Sequence, residues 1–151
     1  MYKRQEDVID ALYRASLAGV DVDLIIRSIC TLRPGVPGLS DRIRVRSIVG
    51  RFLEHSRIYR FGSDARGFDY LIGSADWMPR NLDRRVEALT PVEDPALQTR
   101  LAELFQVGFD DDELAWELDA EGVWHKVTST RGIHAHRTLQ ALAVERSGGD
   151  R

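Results

Sequence analysis

The sequence predicts an α/β fold, and three features carry that prediction. An amphipathic stretch over residues 6–18 stops at Gly19 and leads at once into the β-branched run VDLII at 22–26, which is half of an α/β unit. Three later segments, at 43–49, 57–61 and 68–72, alternate apolar and polar side chains with the period of a strand. Asp94-Pro95 then supplies a second helix start, with Asp as the cap and Pro in the first helical position.

The elements follow in order. Val8, Ile9, Leu12 and Ala15 share one helical face, and Gly19 is a helix stop. Residues 22–26 are expected as a buried strand. Residues 31–40, TLRPGVPGLS, hold two prolines and two glycines. No regular element persists at that density of breakers, so this is a shaped loop, and loops at strand ends line sites. At 43–49, Ile43, Val45 and Ser47 face one way and the arginines the other. Residues 57–61 and 68–72 flank a turn at 62–67 and are expected to pair as a hairpin. Residues 85–89 are expected as a further strand. The helix from Asp94 continues through Leu97, Leu101 and Leu104 to about Val107. A short helix is expected to start at 110–113 and end near Leu118, and a small strand at 122–127. A last helix at 138–144 precedes the loose SGGDR tail. The domain reading is one domain over 1–146 with a flexible tail at 147–151.

Composition bounds the function. The chain has 151 residues, 43% of them hydrophobic and 30% charged, as in an ordinary globular domain. With 21 Lys plus Arg against 24 Asp plus Glu, the net charge is -3, so wholesale binding to nucleic acid is not expected. Cys30 is the sole cysteine; this excludes a disulfide framework and a multi-cysteine zinc cage, and a reducing cytoplasm fits. No apolar run approaches the roughly 20 residues of a membrane span. The start, MYKRQEDVID, carries charge where a signal peptide needs an apolar stretch.

Charge is unevenly placed. Seven arginines (Arg42, Arg44, Arg46, Arg51, Arg57, Arg60, Arg66) lie between Asp41 and Arg66, against three acids. Eight acids and no Lys or Arg lie between Leu101 and His125. An Arg-rich stretch suits bidentate contact with phosphate or carboxylate; outward alternation along solvated strands explains it equally well.

His55 and Arg57 sit two apart where a strand is expected to begin, so period two puts them on one face. Gly73-Ser74-Ala75-Asp76 follows the partner strand, and a hairpin would bring Ser74 and Asp76 toward them. An imidazole can serve phosphorus as nucleophile or general acid, and a guanidinium beside it neutralises phosphoryl oxygens. Taken alone, His55 is more readily a surface or hydrogen-bonded structural histidine. Arg27 falls at the carboxyl end of the first strand, where ligands of open α/β sheets gather; a surface-loop arginine is the alternative. Arg80, Asn81 and Arg84 can hold an anion or buttress their loop, while Trp77 and Met78 are expected to pack. His125, His134 and His136 are expected at the surface rather than on a metal. There is no Walker A loop and no GxGxxG.

The string GVDVDLIIRSICTLRPGVPGLSDRIRVRSIVGRFLEHSRIYRF, followed by LIGSADWMPRNLDRRVEALTPVEDP, strongly resembles the carboxyl-terminal catalytic domain of bacterial polyphosphate kinase. The resemblance covers roughly residues 7–122. It implies a phospholipase D-like sheet flanked by helices, forming one half of a bipartite site. In such folds the paired signature is His-x-Lys then Gly-Ser-x-Asn; here His55-Ser56-Arg57 and Gly73-Ser74-Ala75-Asp76 stand in its place. The resemblance implies that Arg27 contacts ATP phosphates and that His55 is the second active-site histidine, also on ATP. Arg57 joins them as a phosphate-binding residue, with Ser74, Asp76, Arg80 and Asn81 in support. The family usually has Gly where Ser28 stands, and residues 1–6 replace its usual lead-in.

The resemblance also implies ATP as substrate and Mg2+ as companion. The magnesium-associated arginines, the phosphorylated histidine and the adenine-stacking tyrosine lie upstream of the matching stretch, so no metal ligand is expected in this chain. The expected function is phosphate binding within transfer of ATP's terminal phosphoryl group to polyphosphate, incomplete without the phosphohistidine half. Arg27 and His55 are expected to converge on one cleft. Two alternatives stand beside it. One is a non-catalytic truncated or split-gene fragment that docks with a partner carrying the missing half. The other is a homodimeric phosphodiesterase pairing two copies of His55, against which Arg57 and Asp76 argue.

Overall fold

The computed structural model describes residues 4–27 and 29–148; Ser28 and residues 149–151 of the expected tail lie outside the described residues. In order, the elements are α1 (Arg4–Leu17), β1 (Val22–Ile25), β2 (Ile43–Ile48), β3 (Ile58–Ser63), β4 (Gly67–Gly73), α2 (Pro79–Leu82), β5 (Leu89–Val92), α3 (Pro95–Asp110), β6 (Ala115–Leu118), β7 (Trp124–Lys126) and α4 (Ala135–Gly148). The α/β class holds, with the strands divided between two sheets. Two compact units make up the chain. One combines Glu54–Glu103 with the first residues up to Ala11; the other combines Leu12–Leu53 with the residues from Leu104 on. No described helix is long and apolar enough to cross a membrane.

The unit that begins at Leu12 holds the sheet β1-β2-β6-β7. Its α1 segment ends as the sequence predicts: Gly19 takes φ +87°, Gly19 N–H donates to Ser16 O, and Val20 N–H to Ala15 O. This paired closure satisfies the last helical carbonyls and needs a residue tolerant of positive φ. β1 then runs parallel to β2, with Asp23 opposite Arg44, but it is the sheet's edge strand and its side chains alternate half-buried and exposed, which corrects the expectation of a buried strand at 22–26. The breaker-rich loop between them is tied by Ser40, which is fully buried: its hydroxyl donates to Arg33 O at 2.7 Å and accepts Val36 N–H at 2.9 Å. Ile43, Val45 and Ser47 are buried as the alternation requires. Leu32, Ala115, Leu118 and Ala135 complete this core. Gly108 lets α3 approach the sheet closely, since a Cβ there would lie 2.8 Å from Ile25 Cδ1.

The stretch after α3 corrects the expectation of a helix at 110–118: residues 115–118 are strand β6, antiparallel to β2 and β7. Two buried carboxylates explain it. Asp111 accepts Leu114 N–H and Ala135 N–H at 2.7 and 2.6 Å. Asp112 accepts Thr130, Arg131 and Ile133 N–H groups at 2.6–2.7 Å. Such bonds compete with a helical path, and they start α4 at Ala135, earlier than its apolar pattern suggests. α4 also takes in Ser147 and Gly148, which the sequence assigns to the tail.

Those backbone bonds, led by Arg131 N–H, hold the Asp112 carboxyl at about 2, below its usual 3.8. A depressed folded-state pKa stabilises the fold above the ordinary carboxylate range, and that contribution is lost as pH falls through the folded value. The melting temperature of Asp112→Asn is therefore expected below wild type at neutral pH. The gap should close between about pH 4 and about pH 2. A gap that stays constant over that window would show that the carboxylate charge does not hold the turn.

The unit built on Glu54–Glu103 holds the antiparallel sheet β3-β4-β5. The predicted hairpin is β3–β4, in register from Ile58↔Ile72 to Ser63↔Gly67. Gly62 is required at its end: φ is +133°, and a Cβ would fall 2.2 Å from Gly67 O. Residues 85–88 are not a strand, which corrects the expectation at 85–89. Ser74 instead anchors them: its N–H donates to Ala88 O, and its hydroxyl accepts Ala88 N–H at 3.0 Å. Pairing with β4 begins at Leu89 and carries Pro91. A proline without an N–H is tolerated because β5 is an edge. The Asp94 cap is as predicted, with Oδ1 accepting Ala96 and Leu97 N–H at 2.8 and 3.1 Å.

Candidate functional site

The hairpin unit gathers His55, Arg57 and Asp76. Gly73 N–H donates to Arg57 O at 2.8 Å, so the end of β4 is tied beside Arg57 and the next residues carry Asp76 to it. Arg57 Nε and Nη2 both reach Asp76 Oδ1, at 3.1 and 2.7 Å. The Arg57 and Asp76 side chains are 22% and 29% exposed, shielded enough for the pair to outlast a fully exposed one. Arg57 Nη1 donates to the backbone oxygen of His55 and lies 3.3 Å from His55 Nδ1. Arg80 Nη2 stands 3.8 Å from the outer oxygen of Asp76. His55 itself is exposed.

The sequence brings His55 and Arg57 together, but not by the mechanism expected. β3 starts at Ile58, so neither residue is in the strand and period two does not align them. The guanidinium, fixed by Asp76, folds back onto residue 55. Ser74 does not join them: its hydroxyl donates to Glu87 Oε2. Asn81 is buried, at 2% exposure, whereas Arg80 and Arg84 line an open pocket of about 310 Å³ with Pro79 and Asp83.

Trp77 packs as the sequence predicts, against a partner the sequence does not name. Trp77 lies over Tyr59 with ring centroids 5.4 Å apart and planes 14° from parallel, and the residue is 37% exposed. Burial pushes the Tyr59 phenol up from its ordinary value.

In the other unit, Arg27 lies just past β1, exposed, at the strand's carboxyl end as predicted. Ile26 N–H still donates to Arg46 O at 2.8 Å, which fixes the chain up to that point. Much of the arginine run proves to be internally matched. Arg42 pairs with Asp21 at 2.8 Å, Arg44 with Asp23 at 2.7 Å and Arg46 with Glu117 at 2.8 Å. Arg46 also donates to the Gly108 and Phe109 carbonyls at the end of α3, where a cation meets the negative helix terminus. These side chains are structural, and the solvated-strand reading describes them better than a phosphate surface.

The remaining histidines are also engaged. His125 Nε2 is 2.6 Å from Asp119 Oδ2. His134 Nδ1 accepts Arg137 N–H at 3.3 Å, and His136 Nδ1 accepts Phe52 N–H at 3.3 Å. His134 and His136 are half-buried rather than at the surface, because they hold the start of α4 and the loop before His55's segment. Among the described residues no three His, Cys, Asp or Glu side chains form a group that could hold a metal ion.

Comparison with known proteins adds to this geometry. A family model described as "Polyphosphate kinase C-terminal domain 2" matches residues 3–138. The polyphosphate kinase of Thermosynechococcus vestitus is 62% identical over 140 residues, covering 93% of this chain and 19% of the relative. That of Streptomyces coelicolor is 49% identical over 140 residues, with the same two shares. The crystal structure of polyphosphate kinase from Porphyromonas gingivalis superimposes with a TM-score of 0.86 at 35% identity, over 95% of this chain and 22% of that one. The chain thus spans about a fifth of the length of the curated relatives it matches.

Proposed function

Because the chain belongs to the polyphosphate kinase family, as its C-terminal domain 2, we propose that it binds the phosphates of ATP and of inorganic polyphosphate during transfer of the ATP terminal phosphoryl group. The observation that carries this reading is the exposed His55 ring in contact with the Arg57 guanidinium, itself held by Asp76. An imidazole donor beside fixed positive charge suits the oxygens of a transferring phosphoryl group. Arg27 supplies a second cationic contact, and Arg80 adds charge next to Asp76. Residues 1–146 act as the functional domain. The group that accepts the phosphoryl lies in protein outside this chain, whether in a longer polypeptide or a partner, and the chain alone is only partly competent. The family implies Mg2+ alongside ATP; the part proposed for this chain is phosphate binding and hydrogen bonding. The cytoplasm, where ATP is plentiful and Cys30 stays reduced, is the proposed compartment.

Titration calorimetry of the folded chain tests this. At low salt, polyphosphate and ATP are expected to bind weakly, and added salt should weaken binding further. Arg27→Ala and His55→Ala, with unchanged circular dichroism, are each expected to lower affinity roughly ten-fold, the scale of one charge-assisted hydrogen bond. No measurable heat from folded wild-type chain at low salt would remove the proposal.

A further inference from the structure

We propose that Arg57, held by Asp76, sets the tautomer of His55, so that Nε2 carries the ring proton and donates it in a hydrogen bond to a phosphoryl oxygen. The inference rests on the phosphate-binding reading above and assigns roles within it. His55 is the residue that meets phosphate; Arg57 and Asp76 are positioning residues.

The argument is one of donors and acceptors. A guanidinium has five N–H donors and no acceptor. Arg57 Nη1 lies 3.3 Å from His55 Nδ1, and that approach is favourable only if Nδ1 presents a lone pair. A ring with its proton on Nδ1, or an imidazolium, would set N–H against N–H. A neutral imidazole whose Nδ1 accepts must carry its proton on Nε2. The same Nη1 also donates to the His55 backbone oxygen, so one nitrogen engages both the ring and the main chain of residue 55 and fixes the ring's orientation. Glu54, the adjacent acid, accepts Ser56 N–H at 2.8 Å.

Arg57 is held in this position by Nε and Nη2, which grip Asp76 from the other side. The carboxylate also offsets the guanidinium charge next to the ring. Lysine lacks the fork that spans both partners, so the arginine at this place is not interchangeable with it. Nε2 has no hydrogen-bond partner among the described residues, which leaves it for a ligand. His55 thereby acts as a donor through Nε2. Attack on phosphorus through Nδ1 is closed off by Arg57.

Ring-nitrogen NMR of the histidine-labelled chain tests the assignment, at about pH 8, where an ordinary histidine of pKa about 6.5 is neutral. His55 is identified by the signals lost in His55→Gln. Its Nδ1 is expected at the unprotonated position and its Nε2 at the protonated one. In Arg57→Ala and Asp76→Asn the two signals should move toward the mixture of a free imidazole, with Arg57→Lys retaining only part of the bias. A wild-type His55 with its proton on Nδ1 overturns the proposal whether or not any variant folds. So does a wild-type pattern left unchanged in both folded variants. Where calorimetry shows binding, tripolyphosphate should shift Nε2 more than Nδ1; a saturated complex that leaves Nε2 unmoved overturns the donor role. The tautomer is read in the free chain, so its failure is separate from a failure to bind phosphate.

Discussion

Given ATP and Mg2+, the 151-residue chain is expected to make polyphosphate at least about a thousand-fold more slowly than a full-length relative such as the Streptomyces coelicolor enzyme. Phosphoryl transfer is carried by groups that act as a unit, and removal of one member commonly costs three or more orders of magnitude. In the proposed reading this chain offers a donor, His55, with Arg57 beside it, and Arg27 past β1. Charge and hydrogen bonding lower a barrier only when the reacting groups are also held in place. The resemblance puts the phosphoryl-accepting histidine in protein upstream of the matching stretch. The comparison is direct: equal molar amounts of chain and full-length enzyme, with polyphosphate measured over time. A rate within ten-fold of the relative would mean that the site is complete in this chain and that the accepting group has been misplaced.

The same residues show how far the sequence carries a reading. α1, β1, the β3–β4 hairpin and the Asp94 cap were legible because local rules decide them: a 3.6 period, a β-branched run, a turn between alternating segments, an Asp before Pro. The juxtaposition of His55, Arg57 and Asp76 was legible from the hairpin, although its cause, a guanidinium folded back by a carboxylate, is a side-chain event that period two does not describe. What escaped was set by partners far along the chain. Residues 85–88 alternate charged and apolar side chains but are pinned to Ser74 through Ala88. Residues 110–114 are rich in helix-start acids, yet Asp111 and Asp112 spend their oxygens on backbone from 114 to 135. The arginine run illustrates the limit of composition. It counts charges but does not show that Asp21, Asp23 and Glu117 already answer Arg42, Arg44 and Arg46.

Asp111→Ala is expected to be among the most destabilising single changes in the unit that contains it. Its side chain is fully enclosed, at 1% exposure, and its two oxygens serve two separate stretches: Leu114 N–H, where β6 begins, and Ala135 N–H, where α4 begins. Ala135 is itself 2% exposed, so water cannot easily replace the lost acceptor. Leaving a buried donor unsatisfied costs about 1–3 kcal/mol, and two such donors put the loss at about 2–4 kcal/mol after partial relaxation. For a chain of this size that corresponds to a fall in melting temperature of about 10 °C. Asp111→Asn keeps one carbonyl acceptor but turns an amide toward the other N–H, so it should recover only part of the loss. Asp110→Ala is the control. That carboxylate meets Arg131 and Gln106 at the surface, where a pair contributes under about 1 kcal/mol. If thermal melts show Asp110→Ala and Asp111→Ala equally destabilised, the enclosed carboxylate is not what directs the chain from α3 into β6, and the departure from helix at 110–118 needs another cause.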